Sequence, residues 1–218
     1  MKKTIFLALF LFAATVCVFS QNGRIIEITG EVELKAANAS AFSPASVGSI
    51  IAPNTIVSTG FRSTAVIEIG SSRITVRALT RLTLAEIQRA ENTENINIDL
   101  QTGRVRVDVN PPAGSRTNMS VQSPSATASV RGTSFEMDTD RVIVNEGRVL
   151  FAGSNGPGVM VDAGNVSFSN ADGSVADPAE VIISTLLPQP PVGAPSPETV
   201  TQSFDPTDGE LVFVLTYK

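Results

Sequence analysis

Few side chains in this sequence could do covalent chemistry. It contains no histidine, and its one cysteine is Cys17, inside an apolar leader. A Ser–His–Asp triad, a cysteine–histidine pair and the usual zinc or copper ligand sets are therefore excluded. Beyond the leader the only lysines are Lys35 and Lys218. A serine–lysine dyad would need Lys35, which follows an alternating segment and reads as a solvated edge charge. Carboxylates are the surviving enzymatic route, since glycoside hydrolysis needs only two acids. Glu136, Asp138 and Asp140 stand at i, i+2 and i+4, on one face of an extended chain, opposite Phe135 and Met137. That alternation describes a water-facing row better than a catalytic pair. No catalytic residue is assigned.

Binding chemistry is equally sparse. Asn170, Asp172 and Ser174, and Asp205, Asp208 and Glu210, place oxygen atoms at short spacing. Neither set has the length or the terminal bidentate glutamate of a calcium loop, and Asx turns explain both. Arg131-Gly132-Thr133 lacks the further glycines and the helix of a phosphate loop, so it reads as a turn. No metal or cofactor is implied. Arg73 and Arg77, with Arg104 and Arg106, could form a small basic stripe, but a solvated sheet face accounts for it. Residues 21–148 carry 13 Lys and Arg against 13 Asp and Glu, whereas residues 149–218 carry one Lys against eight acids. That balance disfavours nucleic acid, which needs clustered cations against phosphate.

The elements that must hold these residues are strands. Across Thr55–Leu84, β-branched residues alternate and glycine interrupts them at Gly60 and Gly70. Ala65, Ile67 and Ile69 fall on one face, and Thr64, Val66 and Glu68 on the other. Ile74, Val76 and Ala78 alternate in the same way with Arg73, Thr75 and Arg77. Strand segments are expected at 24–28, 31–36, 49–51, 64–69, 73–79, 82–87, 95–100, 104–109, 119–123, 134–138, 141–145 and 148–151. Pro53, Pro111, Pro112 and Pro124 fall where strands should stop. The fold class is all-β: many short antiparallel strands in a two-layer sandwich or a β-roll, solenoid-like domain. A small motif recurs without fixed period, as GEVEL at Gly30, GRVRV at Gly103, GRVLF at Gly147 and GNVSF at Gly164. In each, glycine supplies the turn and two apolar residues are expected to face the core.

The two ends read differently. Residues 1–20 have Lys2 and Lys3, a short apolar run and an expected cleavage after Ser20, which describes a secretory signal peptide. Val16 before Cys17 disfavours lipid attachment there. Asp177-Pro178-Ala179-Glu180 is a helix start, giving one short helix over 178–187. A proline-rich linker follows over 188–197, and then a strand-prone segment ending in ELVFVLTY. Leu211, Phe213, Leu215 and Tyr217 in that segment are the candidate partner-binding residues, because an apolar terminal strand must pair within the chain or with another protein.

Taken in order, several short blocks resemble the FecR-like domain family. They are Gly30-Glu31-Val32, Val47-Gly48-Ser49-Ile50, Ile56-Val57-Ser58-Thr59-Gly60 with Ser63 and Ala65, and Gly70-Ser71 with Ile74. Gly103-Arg104-Val105, Val121 through Pro124 with Ala128, Arg131 through Phe135, and Val144 through Val149 complete the series. The resemblance covers about residues 25–152, and its order is more specific than any block. Family members often place a tryptophan early in the domain; this chain has none. Full regulators of the family have a cytosolic sigma-factor-binding segment, a membrane span and a C-terminal module that meets an outer-membrane transporter. Here a leader and a proline linker with a strand stand in those places, so that signalling role is not carried over.

The domain expectation is a signal peptide over 1–20, a β domain over 21–175, a helix over 176–187, a linker over 188–197 and a C-terminal strand segment over 198–218. The functional expectation is a non-enzymatic, exported module of the periplasm or cell surface that acts as a binding, scaffold or signalling-accessory module of the cell envelope, with an envelope protein or glycan as its partner. An envelope glycan-active enzyme using carboxylates, and a structural subunit assembled through its C-terminal strand, are the alternatives.

Overall fold

The computed structural model describes residues 22–90, 92–178, 200–204 and 211–215. The chain divides into two compact units, residues 1–181 and 182–218. In the first unit the described residues form β1 (Gly23–Thr29), β2 (Val32–Lys35), β3 (Ser43–Pro44), β4 (Ile50–Ile51), β5 (Thr55–Thr59) and β6 (Thr64–Ile69). They continue as β7 (Ser72–Val76), β8 (Arg81–Ala90), β9 (Thr93–Thr102), β10 (Val105–Val109), β11 (Arg116–Gln122) and β12 (Ala126–Arg131). The last are β13 (Ser134–Met137), β14 (Arg141–Glu146), β15 (Arg148–Gly153), β16 (Val159–Asp162) and β17 (Val166–Phe168).

These strands make two sheets. One runs β17-β14-β13-β10-β7-β6-β1-β4 and the other β16-β15-β12-β11-β9-β8-β5-β2-β3. From β5 onward each sheet grows in chain order while the chain crosses back and forth between layers, so the sandwich is also a roll. Its ladders are antiparallel except one, β9 with β11. The chain leaves β9, runs through β10 in the other sheet and returns along β11 in the same direction. A parallel pair requires such a crossover. No closed barrel forms, and the edges are blunt: β4 and β3 have two residues each, β17 three and β16 four. Edges this short offer little backbone for another chain to extend.

The alternation read from the sequence sets the core. In β6, Ala65, Ile67 and Ile69 are buried, and Ile74 and Val76 in β7 pack beside them. The two sheets share one apolar core in which Phe135 and Phe151 are the largest wholly buried side chains. Two expectations need correction. The strand expected over 73–79 stops at Val76, because Leu79 takes a left-handed φ of 54° and turns the chain. The segment Ala126–Arg131, expected only as a step in the family pattern, is a full strand at the centre of its sheet, between β11 and β15.

The recurring glycine motif marks the corners where the chain enters a strand. Gly30, Gly103, Gly147 and Gly164 all have φ between 75° and 88°. Three of them face a hydroxyl. The Glu31 amide donates to Ser63 Oγ at 2.8 Å, the Arg104 amide donates to Thr80 Oγ1 at 3.0 Å, and Thr133 Oγ1 donates to the Arg148 carbonyl at 3.2 Å. Ser63, Thr80 and Thr133 are all buried, and each precedes a core residue by two positions: Ala65, Leu82 and Phe135. A buried hydroxyl thus satisfies backbone at each corner that the ladders leave unpaired. The fourth corner departs from expectation. In GNVSF it is Ser167 that is fully buried, its Oγ donating to the Ala176 carbonyl at 2.6 Å, while Val166 and Phe168 are half-buried.

In the second unit β18 (Val200–Phe204) and β19 (Leu211–Leu215) pair antiparallel as a two-stranded sheet. The helix expected over 178–187, beyond Pro178, the linker over 188–197 and the leader with Cys17 lie outside the described residues.

Candidate functional site

The outer face of the first sheet collects most of the charge that the sequence singled out. β7, β10, β13 and β14 lie side by side, with Arg106 opposite Glu136 in the β10–β13 ladder. Glu136 accepts from Arg77 at 3.2 Å and lies 3.8 Å from Arg106. Asp138 pairs with Arg104 at 3.3 Å and with Arg141 at 3.1 Å, and its other oxygen accepts from the Arg141 amide at 2.9 Å. Arg106 also pairs with Asp108 at 3.3 Å. Three arginines of the stripe, Arg77, Arg104 and Arg106, are therefore ion-paired with two carboxylates of the acidic row, Glu136 and Asp138, in two adjoining clusters.

Titration follows from those contacts. Burial pushes the Asp138 carboxyl up, but hydrogen bonds with Asp140 and the Arg141 and Arg104 charges outweigh it and hold it below the ordinary range. Asp140 is raised, through the hydrogen bond it shares with Asp138, partial burial and the like charge beside it. Hydrogen bonding to Asp108 and its charge hold Arg106 above its ordinary value. Glu136 and Asp138 are each ion-paired with guanidinium groups. The Asn170–Ser174 segment is a turn closed by Asp172, whose Oδ1 accepts from the Ser174 amide at 2.9 Å and from Ser174 Oγ at 2.7 Å. Arg131-Gly132-Thr133 is the turn between β12 and β13, with Gly132 at φ 65°. Lys35 lies over the Phe42 ring, 5.9 Å from its centre. Among the described residues no group of three or more His, Cys, Asp or Glu could hold a metal ion.

Beside this network runs an open groove of about 790 Å³, lined by Arg62, Leu79, Arg104 and Asp138 among others. Its rim was not foreseen. The β5–β6 turn and the β7–β8 turn stand together, joined by the Leu79 amide donating to the Gly60 carbonyl at 3.2 Å. Each contains a non-glycine residue in left-handed backbone, Arg62 and Leu79, both at φ 54°. Phe61 is 72% exposed and Leu79 59%, and the Arg62 guanidinium lies over the Phe61 ring at 5.3 Å. Two large apolar side chains in water, one on strained backbone, are unusual together. Phe61 follows a turn glycine and fits no pattern, while Leu79 breaks the alternation, an aliphatic at the outward parity of Arg73, Thr75 and Arg77.

At the far end of β6 lies a smaller cavity of about 230 Å³, under the Gly70-Ser71 turn. Glu94 of β9 lines it and is 5% exposed, and its Oε1 has no hydrogen-bond partner. The sequence does contain a signal for it. Glu94 has the same parity as Ile96, Ile98 and Leu100, so it occupies an inward register. Burial pushes its carboxyl above the ordinary range, while the Arg89 charge and hydrogen bonding by Thr117 act against that shift. A carboxyl raised on folding binds its proton more tightly in the folded state. Its contribution to stability therefore grows as pH falls from above the folded pKa to the ordinary value of 4.5, and is lost as pH rises again. Urea unfolding between neutral pH and 4.5 should show wild type gaining on a Glu94→Gln chain as pH falls, with the glutamine chain the more stable at neutrality. A constant difference would contradict the burial of this carboxylate.

The partner-binding candidates Leu211, Phe213 and Leu215 fall on β19, opposite Phe204, Gln202 and Val200 of β18. Tyr217 lies outside the described residues. Among the described residues no helix is long and apolar enough to cross a membrane.

Residues 55–150 match the family model for the FecR protein. This region is a FecR domain. β1 to β4 precede the matched region, yet they complete both sheets. Two crystal structures of a candidate anti-sigma factor from Parabacteroides distasonis are similar to this chain at 15% identity and a TM-score of 0.45 each. The matches cover 60% and 58% of this chain, and 64% and 62% of those chains. The FecR-domain chain thus spans less than two thirds of the structures it matches. No curated protein matches the sequence.

Proposed function

We propose that this protein is a non-enzymatic, exported FecR-domain module that binds a protein of the cell envelope in a signalling-related role. The observation that carries the proposal is the Phe61–Leu79 rim. Apolar side chains projected into water, with Leu79 on strained backbone, lower solubility and stability, and a bound partner would offset both costs. Arg62, stacked on Phe61, forms no ion pair among the described residues. The matching surface on the partner is an apolar side chain flanked by an acid. Export to the periplasm or cell surface rests on the leader in residues 1–20. The segment holding Leu211, Phe213, Leu215 and Tyr217 is a second contact, either to the same partner or between copies of the chain.

The test is capture from envelope extract by immobilised protein. Wild type, a chain altered at Phe61 and Leu79, and a chain ending at residue 187 are run side by side. Loss of a specific partner in the rim variant supports the rim. Loss in the truncated chain assigns the contact to the tail. Equal recovery by all three overturns both assignments.

A further inference from the structure

The groove beside the Phe61–Leu79 rim follows one end of the first sheet. Ala65, Val76, Val105, Met137 and Val142 stand side by side across β6, β7, β10, β13 and β14. The turns just beyond that row bring Arg62, Leu79, Gly103 and Asp140 to the groove. It therefore runs across the strands, not along them. From β6 to β14 it crosses the sheet over about 19 Å, the length of about six extended residues.

Charge is distributed unevenly along it. In the middle, Arg77 pairs with Glu136 at 3.2 Å and Arg104 with Asp138 at 3.3 Å. At the β6 end, Arg62 forms no ion pair among the described residues and stands over the exposed Phe61 ring. At the β14 end, Asp140 forms no ion pair among them either, and Arg141 beside it pairs with Asp138 at 3.1 Å. Asp138 and Asp140 are like charges side by side, so a cation arriving at Asp140 relieves a repulsion that the fold leaves in place. The groove thus has a cation with two apolar side chains at one end, a carboxylate at the other and paired charges between. A small ion reaches only one of those ends, whereas an extended chain reaches both. On the reading that the rim is a docking site, we infer that the groove takes an extended segment of the protein partner. That segment places an acid at Arg62, an apolar side chain on Phe61 and Leu79, and a base about four to six residues away at Asp140.

Panning a library of random octapeptides on the immobilised full chain tests this. Enriched sequences should carry an acid beside an apolar residue and a base about four to six positions away. A synthetic peptide of the enriched sequence should bind Arg62→Glu and, separately, Asp140→Lys at least about fivefold more weakly than wild type. Exchanging the base of the peptide for an acid should restore binding to Asp140→Lys, which loss of structure could not produce. Both residues are exposed, so neither change touches the core. No enrichment, enriched sequences that lack the base, or unchanged affinity in either charge-reversed variant would each overturn the inference. The docking role is read separately. Capture from envelope extract that is lost on altering Phe61 and Leu79 keeps that role without the extended segment, and capture that ignores the rim removes the role itself.

Discussion

Gly103→Ala should be among the most damaging single-methyl changes this chain can suffer, lowering stability by about 3 kcal/mol, while the same change at Gly164 costs about 1. Both glycines open a strand in left-handed backbone, at φ 88° and 83°. An L side chain there costs about 1–2 kcal/mol at either position. What separates them is the surroundings. A Cβ on Gly103 would lie 2.5 Å from the Thr80 Cα and 2.3 Å from its Oγ1, whereas nothing stands within 4 Å of one on Gly164. Thr80 cannot yield. Its Oγ1 accepts from the Arg104 amide, its own amide donates to Thr59 Oγ1, and Thr59 Oγ1 in turn donates to the Arg77 carbonyl. Relief of the collision would break that chain of bonds or move β10 off β7, and overpacking of this kind typically adds about 1–3 kcal/mol. Urea midpoints of the two variants, at unchanged slope, measure the difference directly. Equal midpoints would mean that the corner hydroxyls do not fix the approach of the two segments.

How much of this was legible in the sequence depends on whether a residue's environment is set locally. β6 was legible because three aliphatics at period two leave one inward face. β12 was not: Ala126, Ala128 and Ser129 carry little apolar surface, and the strand is buried because β11 and β15 enclose it. GNVSF has the same spelling as the other glycine corners, yet its inward residue is Ser167, because the Ala176 carbonyl supplies an acceptor from outside the motif. The acidic row and the basic stripe were each legible as outward faces. Their mutual pairing needed the register of β10 against β13, which no local pattern specifies. Glu94 was in plain view as a carboxylate at an apolar parity, but its meaning required the Gly70 turn, 24 positions earlier in the chain, to be placed over it. The left-handed backbone at Leu79 has no sequence cue, since nothing about leucine favours it.

That last residue allows stability and function to be separated experimentally. A chain carrying Phe61→Ser and Leu79→Gly should unfold within about 1 kcal/mol of wild type and yet lose envelope-partner capture at least tenfold. Phe61 is 72% exposed, so its removal forfeits little packing. Glycine at 79 relieves the cost of left-handed backbone, about 1–2 kcal/mol, and gives back about half of it as chain entropy in the unfolded state. The Leu79 amide still donates to the Gly60 carbonyl, so the two turns stay together. A core role predicts the reverse: a lower midpoint and no effect on capture. Met160→Ser supplies the control, because Met160 is 51% exposed on the other sheet and should affect neither property. If the rim variant is as stable as wild type and captures the partner equally well, strain at Leu79 serves no contact, and the tail segment with Leu211 and Phe213 becomes the place to look. If capture falls with stability intact, the backbone at Leu79 is held out of its preferred conformation in order to present that side chain. Such a trade is expected where a scaffold this regular gives up stability for recognition.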